Sequence, residues 1–148
     1  MPENNVTVIP ITYKDVKGFD KPMNSPRPRF KRVGNSVRTY MPASYMHHKA
    51  FIAAQMPRLE LTGQIKITLM FGMPVPASTS KVKRERMYGT YHNKKPDIDN
   101  LVKTVLDAAN KHVWVDDGQI VSLVTEKRYT QHPKILMTVE EIEKGLVE

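Results

Sequence analysis

The sequence predicts an α+β fold in a single domain spanning residues 1–148, a small mixed or antiparallel sheet packed by about two helices. Three observations predict it. Apolar and polar residues alternate near the N-terminal end and in the middle of the chain, the period of a half-buried strand. Two stretches, Ala43–Met56 and Asp99–Asn110, place their apolar residues at helical spacing. The elements come as strand, basic arm, helix, strand, basic loop, helix, hairpin and strand, with no internal repeat and no interior linker. A chain of 148 residues makes one domain with a real core.

Each element has a local reason. Val6–Thr12 alternates around Pro10, which suits an edge strand because proline has no N–H to donate. Residues from about 20 to 42 form an arm rich in Pro, Arg and Lys, with Gly34-Asn35 as a turn between Arg29–Val33 and Val37–Met41. Ala43–Met56 starts near Ser44 and stops at Pro57. Gln64–Phe71 alternates through Ile65, Ile67, Leu69 and Phe71. Residues from about 72 to 96 read as a long irregular loop, a length that usually serves a function. The second helix shows a stripe of Leu101, Val102, Val105, Leu106 and Ala109. Val113–Val115, a turn at Asp116-Asp117-Gly118 and Ile120–Tyr129 read as a hairpin, and Ile135–Glu141 as the last strand.

Composition narrows the function. The net charge is +8, which favours a polyanionic partner, nucleic acid first. The arm supplies Arg27, Arg29, Lys31, Arg32 and Arg38, and the loop supplies Lys81, Lys83, Arg84, Arg86, Lys94 and Lys95, as candidate phosphate contacts or as plain solvation. The absence of Cys excludes disulfides, thiolate zinc sites and Cys nucleophiles. Met1–Asn5 carries no leader-like pattern and no apolar run approaches the roughly 18 residues of a membrane span, so a cytoplasmic protein is expected. Tyr88, Tyr91 and His92 could stack on exposed bases or pack the loop. His47 and His48, adjacent and so about 100° apart on a helix, read as surface residues. Trp114 reads as core beneath the acidic turn, and the nine Met as flexible core filler.

Against this basic background stands an acidic constellation, Lys95-Pro96-Asp97-Ile98-Asp99-Asn100 followed by Asp116-Asp117. On a continuous helix Asp97 and Asp99 would lie about 200° apart and could not share an ion. On an extended helix entry, where Pro96 puts them, both would point to one side. Lys103 lies one helical turn beyond Asp99, and Asp107 continues that stripe toward solvent or pairs with Lys103. A twelve-residue helix spans about 18 Å and about five strand residues return that distance, so Lys111–Val115 could bring Asp116 or Asp117 beside Asp97 and Asp99. Carboxylates gathered in this way suit Mg²⁺, which neutralises phosphate oxygens and activates water. Lys103 could then hold the phosphate as a point charge. The same residues also have ordinary uses: Asp97 or Asp99 as a helix cap, Asp99–Lys103 as a surface pair, Asp116-Asp117-Gly118 as a turn. Residue patterns alone leave a non-catalytic nucleic-acid-binding protein open.

From Lys95 to Tyr129 the chain resembles the RusA family of Holliday junction resolvases. The family pattern is Asp-x-Asp-Asn, a Lys four residues after the second Asp, an Asp-Ala-Leu-Asn-like helix end, Trp-x-Asp-Asp, and an Ile/Val-rich strand ending in Lys. Asp97, Asp99, Asn100, Lys103, Asp107, Asn110, Trp114, Asp116 and Asp117 match it, while the helix end reads Asp-Ala-Ala-Asn. A looser match covers Pro26–Tyr45. The resemblance implies a homodimer that binds four-way DNA junctions and cuts two opposed strands by paired, symmetric nicks. It implies Mg²⁺, with Mn²⁺ as a substitute, and no small-molecule cofactor. Asp97, Asp99 and Asp117 would be metal ligands, Asp116 the weaker acid of its pair, and Lys103 the essential lysine. It further implies recombination and repair or phage DNA processing in a bacterial host. A nuclease acting on forks or flaps stays open beside it.

Overall fold

The computed structural model describes residues 5–13 and 20–142, so the Met1–Asn4 segment considered above lies outside the described residues. Four strands make the main sheet in the order β1-β6-β4-β5, with β1 at Asn5–Thr12, β4 at Gln64–Met73, β5 at Ile120–Tyr129 and β6 at Lys134–Ile142. β6 runs antiparallel to both β1 and β4, and β5 runs parallel to β4. The sheet is therefore mixed. A separate two-stranded hairpin, β2 (Arg29–Val33) and β3 (Ser36–Tyr40), turns at Gly34, whose φ of 60° is the left-handed conformation that glycine adopts freely.

Alternation along the strands decides which face is covered. Ile65, Ile67, Leu69 and Phe71 of β4, Ile135, Met137 and Val139 of β6, and Ile9 and Ile11 of β1 are all buried. Helix α1 (Ala43–Ala53) and helix α3 (Ile98–Ala109) cover that face and pack on each other. α3 contributes Leu101, Val102, Val105, Ala108 and Ala109 to the core. Val8, Val124 and Leu136 show on the other face of the sheet. Pro10 sits on edge strand β1, where its missing N–H leaves no partner unsatisfied.

Three sequence expectations change. The stretch 72–96 is not irregular: β4 runs on to Met73, helix α2 spans Lys81–Met87, and Gly89–His92 hydrogen-bonds along β5. α2 has no buried residue, so it carries no apolar stripe to read; its signals are the Ser80 cap, which accepts from the Lys83 N–H, and a run of helix-forming residues. The expected Val113–Tyr129 hairpin does not form. Trp114 makes only isolated bridges, to Leu61 and Asn110, while β5 pairs in parallel with β4. The β4–α2–α3–β5 crossover replaces a tight turn. His48 is fully buried instead of superficial, because Tyr45, His48 and Ile52 share the inward face of α1.

Candidate active site

The N-terminus of α3 is built on a lysine clamp. The Lys127 ammonium on β5 donates to the carbonyl oxygens of Lys94 at 2.6 Å and Pro96 at 2.7 Å. It thereby fixes the backbone on both sides of Lys95. Burial lowers the Lys127 pKa, and the nearby Asp97 charge opposes that shift. Sequence patterns gave Lys127 no role beyond the end of a strand. What singles it out is its register: Lys127 pairs with the buried Phe71 on the helix-covered face, where its side chain meets a loop of backbone carbonyls.

Asp97 follows this clamp directly. It occupies the cap position with extended backbone, φ −68° and ψ 143°, yet its carboxylate makes no capping hydrogen bond. It takes the Lys95 ammonium instead, at 2.8 Å. That hydrogen bond and charge hold the Asp97 carboxyl below its ordinary pKa and raise Lys95 above its own. Asp99 lies in the first helical turn and is exposed. Only Asp97 keeps the extended geometry expected of both, but the change of backbone between them still lets both line one open cavity of about 830 Å³. Lys94, Lys95 and Lys127 line the same cavity, so the two acids sit in a basic rim.

The remaining acids serve elsewhere. Glu126 also lines this cavity but pairs with Arg128 at 2.8 Å. Asp107 neither faces open solvent nor meets Lys103; it is half-buried and accepts the Tyr45 hydroxyl at 2.8 Å, and burial, followed by this hydrogen bond, pushes that phenol up to about 12. Asp116 caps a short 3₁₀ turn at Asp117–Gln119, accepting the Gly118 N–H at 2.9 Å. Asp117 accepts the indole N–H of Trp114 at 2.7 Å. Trp114 itself is fully buried, as expected of core beneath the acidic turn.

Asp116 and Asp117 do not reach Asp97 and Asp99 within one chain. They precede β5, whereas the cavity lies at its far end, and the strand from Ile120 to Lys127 rises roughly 23 Å. The return along α3 is made by β5 itself, after the acidic turn instead of before it. Among the described residues no group of three metal-ligating side chains gathers.

Lys103 is exposed on α3, one turn beyond Asp99 and outside the cavity lining. Arg27, Arg29, Lys31, Arg32 and Arg38 are all exposed, the last four on a hairpin with no buried residue. Lys81, Lys83 and Arg86 are exposed on α2. Arg84 is partly committed, donating to the carbonyls of Pro76 at 2.9 Å and Ala77 at 3.3 Å. His92 is buried against Tyr129, and burial together with the charges of Lys127 and Lys94 lowers its pKa.

Comparison with known proteins identifies the family. The YqaN protein of Bacillus subtilis (strain 168) is 28% identical over 132 residues, covering 84% of this chain and 93% of that protein. Residues 20–140 match the family described as Endodeoxyribonuclease RusA, a span that takes in the basic hairpin, α2, the cavity and the acidic turn. The chain belongs to the RusA family, the Holliday junction resolvases that its Asp97–Asp117 block resembles.

Proposed function

We propose that this protein resolves Holliday junctions by divalent-metal-dependent hydrolysis of DNA phosphodiesters, as a homodimer placing paired nicks. The observation that carries the reading is that Asp97 and Asp99 line one open, lysine-rimmed cavity with no capping bond on Asp97. A purely structural acid at a helix start would be spent on the backbone N–H groups.

The donor set fits Mg²⁺, with Mn²⁺ as a substitute. Mg²⁺ is commonly held by one or two carboxylates and leaves its other positions to water and phosphate. When bound, the ion would neutralise phosphate oxygens and lower the pKa of water. Asp97 and Asp99 would hold it, and Lys95 would leave Asp97 for a DNA phosphate. Lys127 keeps the Asp97 backbone in place throughout. Lys103 reaches from the exposed face of α3 as a point charge for the phosphate. Arg27, Arg29, Lys31, Arg32, Lys81, Lys83, Arg86 and Lys94 track the backbone of the DNA arms, positioning without reading sequence.

Asp117 joins this set only from another chain, because its own lies at the opposite end of β5. A homodimer with two-fold symmetry would offer each cavity the partner's acidic turn, and would offer a four-way junction two equivalent sites. The apolar residues Val8, Val124 and Leu136 on the uncovered sheet face, exposed by 60%, 53% and 38%, support a partner surface.

The test is strand-specific cleavage of a labelled four-way junction with and without Mg²⁺, for the parent chain and Asp99→Asn, beside three-way and linear substrates. Paired symmetric nicks that need both metal and Asp99 are expected on the four-way substrate. Tight binding without nicks in any metal would return the acids to structural duty and leave a branched-DNA-binding protein.

A further inference from the structure

Tyr91 is the one large aromatic side chain lining the cavity that contains Asp97 and Asp99 and standing mostly in solvent, 67% exposed, among the described residues. An exposed ring on a mobile loop would mean little. This one is held. Its segment runs along the outer edge of β5, where the Gly89 N–H donates to Tyr129, the Tyr129 N–H to Thr90, and the His92 N–H to Lys127. Extended pairing sends neighbouring side chains to opposite sides, so His92 turns inward onto Tyr129 while Tyr91 turns outward.

The ring is also braced from one side. The Arg128 guanidinium lies over the Tyr91 ring at 4.2 Å from its centroid. Arg128 is itself fixed, donating to the Gly89 carbonyl at 2.6 Å and to Glu126 at 2.8 Å. With one face of the ring capped by a cation and most of its area in water, the opposite face is open. A flat, pre-ordered aromatic face beside a lysine-rimmed cavity matches the π-face of a nucleobase, and an intact duplex presents none, because its bases are already stacked on each other.

We propose that Tyr91 is a stacking platform for a DNA base unstacked at the branch point, and so a residue that selects branched DNA over linear duplex. The proposal rests on the nuclease reading above for its substrate. It gives the chain a means of choosing structure without reading sequence, since every base has a face to stack.

The experiment uses the full chain with Ca²⁺ in place of Mg²⁺, to hold substrate uncut. Affinity for a four-way junction and for a linear duplex of the same length is measured across a salt series for the parent, Tyr91→Phe and Tyr91→Ala. A junction carrying 5-iodouracil beside the branch is irradiated and the crosslinked residue mapped. Tyr91→Ala should weaken junction binding about 5- to 100-fold, leave duplex binding and the salt slope unchanged, and Tyr91→Phe should match the parent. The crosslink should fall on Tyr91. Equal loss on both substrates, no loss, a changed salt slope, or a crosslink elsewhere overturns the platform. A parent chain without preference for the junction overturns it too. A parent that prefers the junction but never cuts it in Mg²⁺ overturns the nuclease reading alone, and the Tyr91→Ala ratio still decides the platform.

Discussion

The Lys127 ammonium lies 2.7 Å from the Pro96 carbonyl oxygen, so strand β5 holds the backbone one residue before Asp97. The second bond, to the Lys94 carbonyl, makes the clamp span the whole turn into α3. Lys127→Met keeps the length of the side chain and removes both bonds. The carboxylates would then lose their fixed spacing, and displacement of about 1 Å can cost on the order of a hundredfold in rate. Single-turnover cleavage of a four-way junction should fall about 10- to 100-fold, with junction affinity nearly unchanged. An undiminished rate would remove Lys127 from the site.

On the proposed reading Asp97 and Asp99, unlike Lys127, would hold the metal directly. Asp97→Asn or Asp99→Asn should lower cleavage by at least about a thousandfold, as chelation of the metal should for the parent. Both side chains are exposed, so thermal stability should move within about 0.5 kcal/mol. Junction binding should persist or tighten, because each change removes a negative charge that repels phosphate. Gel-shift and cleavage assays on the same preparations separate the two effects. Loss of binding in step with loss of cleavage would mean that the acids only organise the fold.

Much of this was legible in the residues. Alternation through Ile65, Ile67, Leu69 and Phe71 marked β4, and the stripe through Leu101, Val105 and Ala109 marked α3, because one-sided burial imposes a period on the sequence. α2 was hidden for the converse reason, since it buries nothing and so leaves no period. The parallel pairing of β5 with β4 was hidden because it joins residues such as Leu69 and Thr125 through an intervening crossover, and local turn chemistry favoured a hairpin at Asp117-Gly118. In the site, the Asp-x-Asp pattern located the cavity. The clamp from Lys127 and the brace from Arg128 on Tyr91 could not be read, because each depends on β5 lying beside the 89–96 segment.

Asp117 gives a test of subunit sharing. Asp117→Asn keeps an oxygen for the Trp114 indole, so stability should hold while cleavage falls. Asp99→Asn and Asp117→Asn chains are then unfolded together and refolded as a mixture. If each cavity borrows Asp117 from the partner, every mixed dimer holds one site with all its acids intact, and nicking should return to about a quarter of the parent level on random two-fold pairing. These should be single nicks on one strand. If Asp117 acts within its own chain, the mixture stays as inactive as its components, and an Asp117→Asn chain that cleaves by itself would remove Asp117 from the site.

The last prediction concerns acid stability and belongs to α1. His48 is fully buried and its ring nitrogen lies 2.7 Å from the Tyr13 hydroxyl, against which it also stacks at 5.6 Å. Burial disfavours the charged imidazolium and lowers the His48 pKa to about 4 from its ordinary 6.5. Burial of Tyr13 raises that phenol, so it stays neutral throughout. A folded pKa below the unfolded value means that the unfolded chain binds the proton more readily. The contribution of His48 is therefore complete above about pH 6.5 and lost progressively as pH falls toward 4, a span worth about 3 kcal/mol at most. Asp97, held below its ordinary value by Lys95, loses its own contribution only at still lower pH. Urea denaturation midpoints should therefore fall between pH 7 and pH 4.5. His48→Gln, which cannot take the proton, should start less stable but lose little more over that interval. A parent midpoint that stays level to pH 4.5, or a His48→Gln chain that falls as steeply, would place the acid sensitivity elsewhere.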